Sequence, residues 1–116
     1  MEDEKRRYAR YIIKGRAVAI LSPNNFIPYQ ILDISRNGLA FSYGSECWND
    51  EVLELELLEG EKNFCLDKIP IRIISDCALD ESSKDLRRCG VQFGELSPGQ
   101  KAQLDYFIQK YTVGIA

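Results

Sequence analysis

Between Arg16 and Phe93 the apolar residues recur at every second position, in short runs separated by turn clusters. After Ser97 the period lengthens. Alternation at period two builds half-buried strands, whereas recurrence at three and four residues builds an amphipathic helix. "EVLELELLE" (Glu51–Glu59) is the plainest strand: Leu53, Leu55 and Leu57 point one way, Glu54 and Glu56 the other. "RAVAIL" (Arg16–Leu21) runs into the turn cluster Ser22-Pro23-Asn24-Asn25. "PYQILDI" (Pro28–Ile34) and "GLAFSY" (Gly38–Tyr43) follow, joined at Asn37-Gly38, a hairpin signal because both residues accept positive φ. "NFCLDKIPIRIISDC" (Asn63–Cys77) reads as one long strand or two broken near Pro70. "ALDESSKD" (Ala78–Asp85) reads as a polar hairpin loop and "LRRCGVQF" (Leu86–Phe93) as the returning strand.

The final segment carries the signals of a helix start. Ser97 suits the N-cap, Pro98 the first helical position, and Gln100 completes an S-x-x-Q capping box. Leu104, Phe107, Ile108 and Tyr111 then share one helix face. Gly99 is the weak point, costing ~1 kcal/mol relative to alanine in a helix interior. At 116 residues the chain has the length of one domain. The expected fold is all-β with a C-terminal helix: a small antiparallel barrel of six or seven strands with the helix packed on it.

Charge and composition exclude several functions. The net charge is −3, which opposes a general DNA or RNA binder with a broad basic surface. Yet Lys5, Arg6, Arg7, Arg10, Lys14 and Arg16 crowd the first sixteen residues. A basic arm on an acidic protein suits a small anionic ligand better than a long polyanion. No histidine is present, so Ser-His-Asp and Cys-His catalysis are absent, and nothing points to an enzyme. Cys47, Cys65, Cys77 and Cys89 lack metal-clip spacing, so no metal site or cofactor is expected. Cys65, Cys77 and Cys89 read as reduced core or near-core residues. No apolar run approaches the ~20 residues of a membrane span, and no signal-peptide pattern appears. A cytoplasmic location without membrane insertion is expected. Trp48 either covers the barrel end or meets a partner.

Two motifs stand apart. "RRYAR" places Arg6 and Arg10 in R-x-x-x-R, and 22 residues later "DISRNG" places Asp33, Ser35 and Gly38 in D-x-S-x-x-G. Each has a plain reading, as a solvated basic arm and as a capped turn. Together and in this order they resemble the PilZ domain family, with R-x-x-x-R on an N-terminal arm and D-x-S-x-x-G between strands. "CGVQFGELSPGQKAQLDYFI" also resembles the family's closing strand and helix.

The resemblance implies a bacterial receptor that binds the second messenger cyclic di-GMP and relays it by a conformational change. Residues 1–15 would form a flexible basic arm, and 16–116 the barrel with its helix. Arginine suits this ligand: its guanidinium forks onto phosphate oxygens, donates to guanine edges and stacks on purine faces. The implied ligand-binding residues are Arg6, Arg7, Arg10, Asp33, Ser35 and Gly38. Asp33 would accept from guanine or orient an arginine, Ser35 would bond phosphate or guanine, and Gly38 would let backbone approach closely. Lys5, Arg36 and Asn37 are further candidates; a basic residue before R-x-x-x-R accompanies binding of two stacked ligands. With no second domain in the sequence, the output would pass to a separate, unidentified protein or through self-association. The alternative is a PilZ-like protein-interaction adaptor that binds no nucleotide. Neither stoichiometry nor oligomeric state follows from the residues.

Overall fold

The computed structural model describes residues 9–13, 17–22, 28–44, 54–60, 64–80 and 83–115. Arg6, Arg7, Lys5, Cys47, Trp48 and Leu53 lie outside them. Among the described residues eight strands and one helix run in the order β1 (Tyr11–Ile13), β2 (Ala17–Ser22), β3 (Pro28–Ile34), β4 (Gly38–Tyr43), β5 (Glu54–Glu59), β6 (Phe64–Asp80), β7 (Ser83–Phe93), α1 (Pro98–Tyr111) and β8 (Thr112–Ile115).

Two antiparallel meanders, β2-β3-β4 and β5-β6-β7, make the barrel. They join through β4–β7 on one side and β2–β5 on the other, and the β2–β3 pairing closes six strands into a ring. Closure removes the free edges that would otherwise seek partners. β1 and β8 lie outside the ring, with β1 paired to both β3 and β8. The barrel and helix match the sequence expectation. The two outer strands were not expected, and Tyr11–Ile13 fall within the stretch read as an arm.

The alternation fixes which residues fill the interior. Tyr29, Ile31, Ile34, Leu39, Phe41, Leu55, Leu57, Cys89 and Val91 are buried in one cluster with Leu104, Phe107, Ile108 and Tyr111 of α1. Glu54 stays exposed between them. Cys65 and Cys77 do not join the core: both are exposed, because they occupy outward positions of β6. Cys65 donates to Glu56 Oε2 at 3.0 Å, and that bond raises its pKa to about 11. Burial raises the Cys89 thiol to about 12.

The Asn37-Gly38 expectation fails in its geometry. Among the described residues Lys68 alone combines a side chain with positive φ, at 59°. The turn instead centres on Arg36 and Asn37, and Gly38 already belongs to β4. Nor does β6 break at Pro70. The irregularity nearest Pro70 lies at Asp67-Lys68, where Leu55 pairs Ile69 but Leu57 pairs Leu66, leaving one extra residue in β6.

Gln100 explains how that bulge is held. Ser97 Oγ accepts from Gln100 N at 3.1 Å and Gln100 Oε1 accepts from Ser97 N at 3.0 Å, the predicted capping box. The same side chain's Nε2 donates to the carbonyls of Lys68 at 3.0 Å and Asp67 at 3.3 Å. One glutamine thus caps the helix and fastens it to the bulge. Gln100→Ala is expected to lower stability by about 1–2 kcal/mol, the range of a lost cap plus one or two partly exposed hydrogen bonds. Urea denaturation checks this, and an unchanged midpoint would mean that water replaces the glutamine at no cost.

Candidate functional site

Strict alternation in β3 would put Asp33 inside the barrel, on the face of Tyr29 and Ile31. A bulge prevents this. Ile31 pairs Phe41 but Asp33 pairs Ala40, so β3 carries one residue more than β4 across that step. Ile34, not Asp33, then returns to the core, and Asp33 swings to the outer face. Bulges re-aim side chains in this way beside functional sites.

A second bulge mirrors it. Ile73 pairs Val91 but Ser75 pairs Gly90, leaving Ile74 as the extra residue of β6. One row now crosses four neighbouring strands: Asp33 on β3, Ala40 on β4, Gly90 on β7 and Ser75 on β6. Residues in register share a face of the sheet, so this row has a floor of two small residues between two bulged walls. Ile74 is 55% exposed on the far wall. A β-carbon at Gly90 would meet Ser75 Oγ at 2.5 Å, so the missing side chain is what admits the Ser75 hydroxyl.

β1 brings Arg10 to the row. Its pairing of Tyr11 with Ile34 and Ile12 with Asp33 sets Arg10, two residues before Ile12, on the face that Ile12 shares with Asp33. Arg10 Nη1 lies 3.4 Å from Asp33 Oδ1. From the opposite side, Arg88 of β7 reaches across β4 and donates through Nη2 to Asp33 Oδ2 at 3.2 Å. Each carboxylate oxygen therefore holds one guanidinium. The Asp33 side chain is 11% exposed, Arg10 36% and Arg88 30%, so the acid is sheltered while the two cations face solvent.

Ser35 organises the adjoining turn. Its Oγ accepts from Asn37 N at 3.1 Å and Gly38 N at 3.2 Å, and donates to the Gly38 carbonyl at 3.3 Å. Ser35 N also donates to Gly38 O at 2.8 Å. One hydroxyl thus satisfies the loose donors of the turn, and no positive φ is needed. Asn37 O accepts from Phe93 N at 2.8 Å, tying the turn to the end of β7. Gly38 is required by a close approach: a β-carbon there would sit 2.1 Å from Val91 O.

Arg10, Ser35, Asn37, Gly38, Ser75 and Arg88 all line one small depression of about 60 Å³. Arg36 does not join them. It pairs with Asp105 Oδ1 of α1 at 2.7 Å, in an exposed bond, and lines a separate cleft of about 310 Å³ against the helix. The sequence-selected residues Arg10, Asp33, Ser35, Asn37 and Gly38 are therefore brought together, and Arg36 points elsewhere. Arg88 was missed by sequence reasoning. The alternation of "LRRCGVQF" sets Arg88 and Gly90 outward and Cys89 and Val91 inward, which is the signal that was available.

No group of three or more His, Cys, Asp or Glu among the described residues could hold a metal ion. None of the described helices is long and apolar enough to cross a membrane.

Solved structures with this fold include YcgR in complex with c-di-GMP from Escherichia coli, at a TM-score of 0.64 and 20% identity over 90% of this chain. The chain spans 45% of that protein's length. The PilZ domain with c-di-GMP of YcgR from Escherichia coli aligns at a TM-score of 0.61 and 20% identity, over 90% of this chain and 89% of that one. No curated protein sequence matches. The PilZ domain model matches residues 4–110, a span that takes in β1, the whole barrel and nearly all of α1, and the chain accordingly belongs to the PilZ domain family.

Proposed function

We propose that the chain is a cyclic di-GMP receptor that binds the nucleotide on the outer barrel face over the Asp33 row and relays occupancy through its N-terminal arm. The observation that carries this reading is the convergence of Arg10, Ser35, Asn37 and Gly38 at one depression, with Asp33 paired to Arg10 beside it, from segments separated by 22 residues. Membership of the PilZ family, whose YcgR relatives are c-di-GMP complexes, supports it. The chemistry agrees. Cyclic di-GMP carries two phosphodiester charges and two guanines, and arginine serves both. A guanidinium monodentate to Asp33 keeps several N–H donors for a ligand.

At about 60 Å³ the depression is too small to enclose a dinucleotide. The ligand rests on the barrel and the arm bearing Arg6 and Arg7 closes over it. The segment before Arg10 is the moving part in this scheme, with β1 as the fixed stem that sets Arg10 at the site. Ordering an arm costs conformational entropy, so affinity is moderate despite many charged contacts. The protein acts as a cytoplasmic signalling module rather than an enzyme. Its output passes to a separate protein through the changed position of the arm.

Isothermal titration with cyclic di-GMP tests the reading, with GTP and cyclic di-AMP as controls. Selective, saturable heat is the expected result, and the molar ratio distinguishes one bound ligand from a stacked pair. A cooperatively folded protein that gives no heat would leave the fold in place and move the function to a nucleotide-independent adaptor.

A further inference from the structure

We infer that Arg88 is a third ligand-contacting arginine of the site, supplied by β7 rather than by the arm or the turn. The inference rests on the cyclic di-GMP reading and deepens it. Three observations carry it. First, Arg88 shares with Arg10 a single carboxylate, each guanidinium taking one oxygen of Asp33, at 3.2 and 3.4 Å. Arginine–carboxylate pairs are frequently bidentate, with two parallel N–H···O bonds. Here Arg88 offers only Nη2 to Asp33, and its other N–H groups remain for an anion. Second, Arg88 lines the same depression as Ser35, Asn37, Gly38 and Ser75. Third, Ala40 and Gly90 in the neighbouring row leave its path over β4 clear of bulky side chains.

The electrostatics point the same way. Arg10 and Asp33 alone cancel, and a neutral pair has little attraction for a phosphodiester. Adding Arg88 leaves the described cluster with one net positive charge, on groups about a third exposed. Arg10 and Arg88 stand on opposite sides of Asp33, so the acid works as a spacer that holds two cations apart and aimed outward. Arg88 belongs to the barrel wall. It therefore gives the ligand a contact fixed by the β4–β7 pairing.

The test is titration of the full chain with cyclic di-GMP in three forms: wild type, Arg88→Ala and Arg88→Lys. Arg88→Ala is expected to weaken binding about tenfold or more, the loss of one or two charge-assisted hydrogen bonds. Arg88→Lys is expected to recover less than half of that loss in free energy, since an ammonium restores the pairing with Asp33 but not the planar fork. Binding by Arg88→Ala within twofold of wild type would overturn the inference and leave the receptor reading standing. Full recovery by lysine would also overturn it, reducing Arg88 to a counter-charge that positions Asp33. Saturable binding absent from the folded wild type would overturn both. Should Arg88→Ala fail to melt cooperatively, the Arg88 Nε–H resonance of labelled wild type decides. It is expected to shift at saturating ligand, and an unmoved resonance overturns the inference.

Discussion

Asp33→Ala is expected to weaken cyclic di-GMP binding about a hundredfold or more while the barrel stays folded, the largest effect on binding of any single change at the site. The carboxylate organises two guanidiniums, at 3.4 Å from Arg10 and 3.2 Å from Arg88. Without it the two cations repel across a sheltered gap and turn separately to solvent. Both contacts with the ligand then have to be ordered on binding, at a cost in side-chain entropy for each arginine. Stability falls far less, by about 1 kcal/mol, because both guanidiniums are about a third exposed and water solvates them once freed. Asp33→Asn keeps the volume and removes the charge, and is expected to lose nearly as much binding. Titration calorimetry with a parallel thermal melt checks both. Binding within threefold of wild type in a variant that melts normally would mean that the arginines hold their places without Asp33.

Much of this site could be read before the fold was known, and the limits of that reading are physical. β3 and β4 match the sequence expectation at both ends, and so does the helix stripe of Leu104, Phe107, Ile108 and Tyr111, since alternation and helical period are local signals. The D-x-S-x-x-G residues were picked out by type and spacing. What brings them to one face was not visible. Asp33 faces outward only because β3 bulges after Ile31, and a bulge leaves no mark in a run such as "PYQILDI" whose apolar count fits either register. β1 and β8, three and four residues long, are too short for periodicity to register, and they form by pairing termini far apart in sequence. Arg88 was legible as an outward residue of its strand. Its meeting with Asp33, 55 residues earlier, depends on the β4–β7 seam that joins the two meanders. The misreading of Asn37-Gly38 has the same origin. Composition suggested a positive-φ turn, whereas the glycine answers to Val91, 53 residues later in the chain.

That last contact gives the largest expected loss of stability. Gly38→Ala is expected to destabilise the fold by about 3 kcal/mol and to lower the melting temperature by roughly 10 °C. The added β-carbon would lie 2.1 Å from Val91 O, 3.1 Å from Val91 C and 3.2 Å from Gln92 Cα, all of them backbone atoms of β7. No rotamer change relieves a clash with a carbonyl in a sheet, so the start of β4 has to move away from β7. Gly38 pairs Gln92 in that seam, and Phe93 N donates to Asn37 O beside it. Displacement would strain both, and with them the turn whose donors Ser35 holds. Ligand binding should therefore fall together with stability, through the backbone rather than through any contact of Gly38 with the nucleotide. Gly90→Ala is the informative comparison. Its β-carbon would meet Ser75 Oγ at 2.5 Å, but that oxygen sits on an exposed, rotatable side chain. Turning χ1 of Ser75 relieves the contact at about 1 kcal/mol, and the β6–β7 seam stays intact. Thermal or urea melts of the two variants side by side decide the point. Equal losses would mean that the β4–β7 seam yields as easily as a serine hydroxyl, and that Gly38 is not what locks the turn to the barrel.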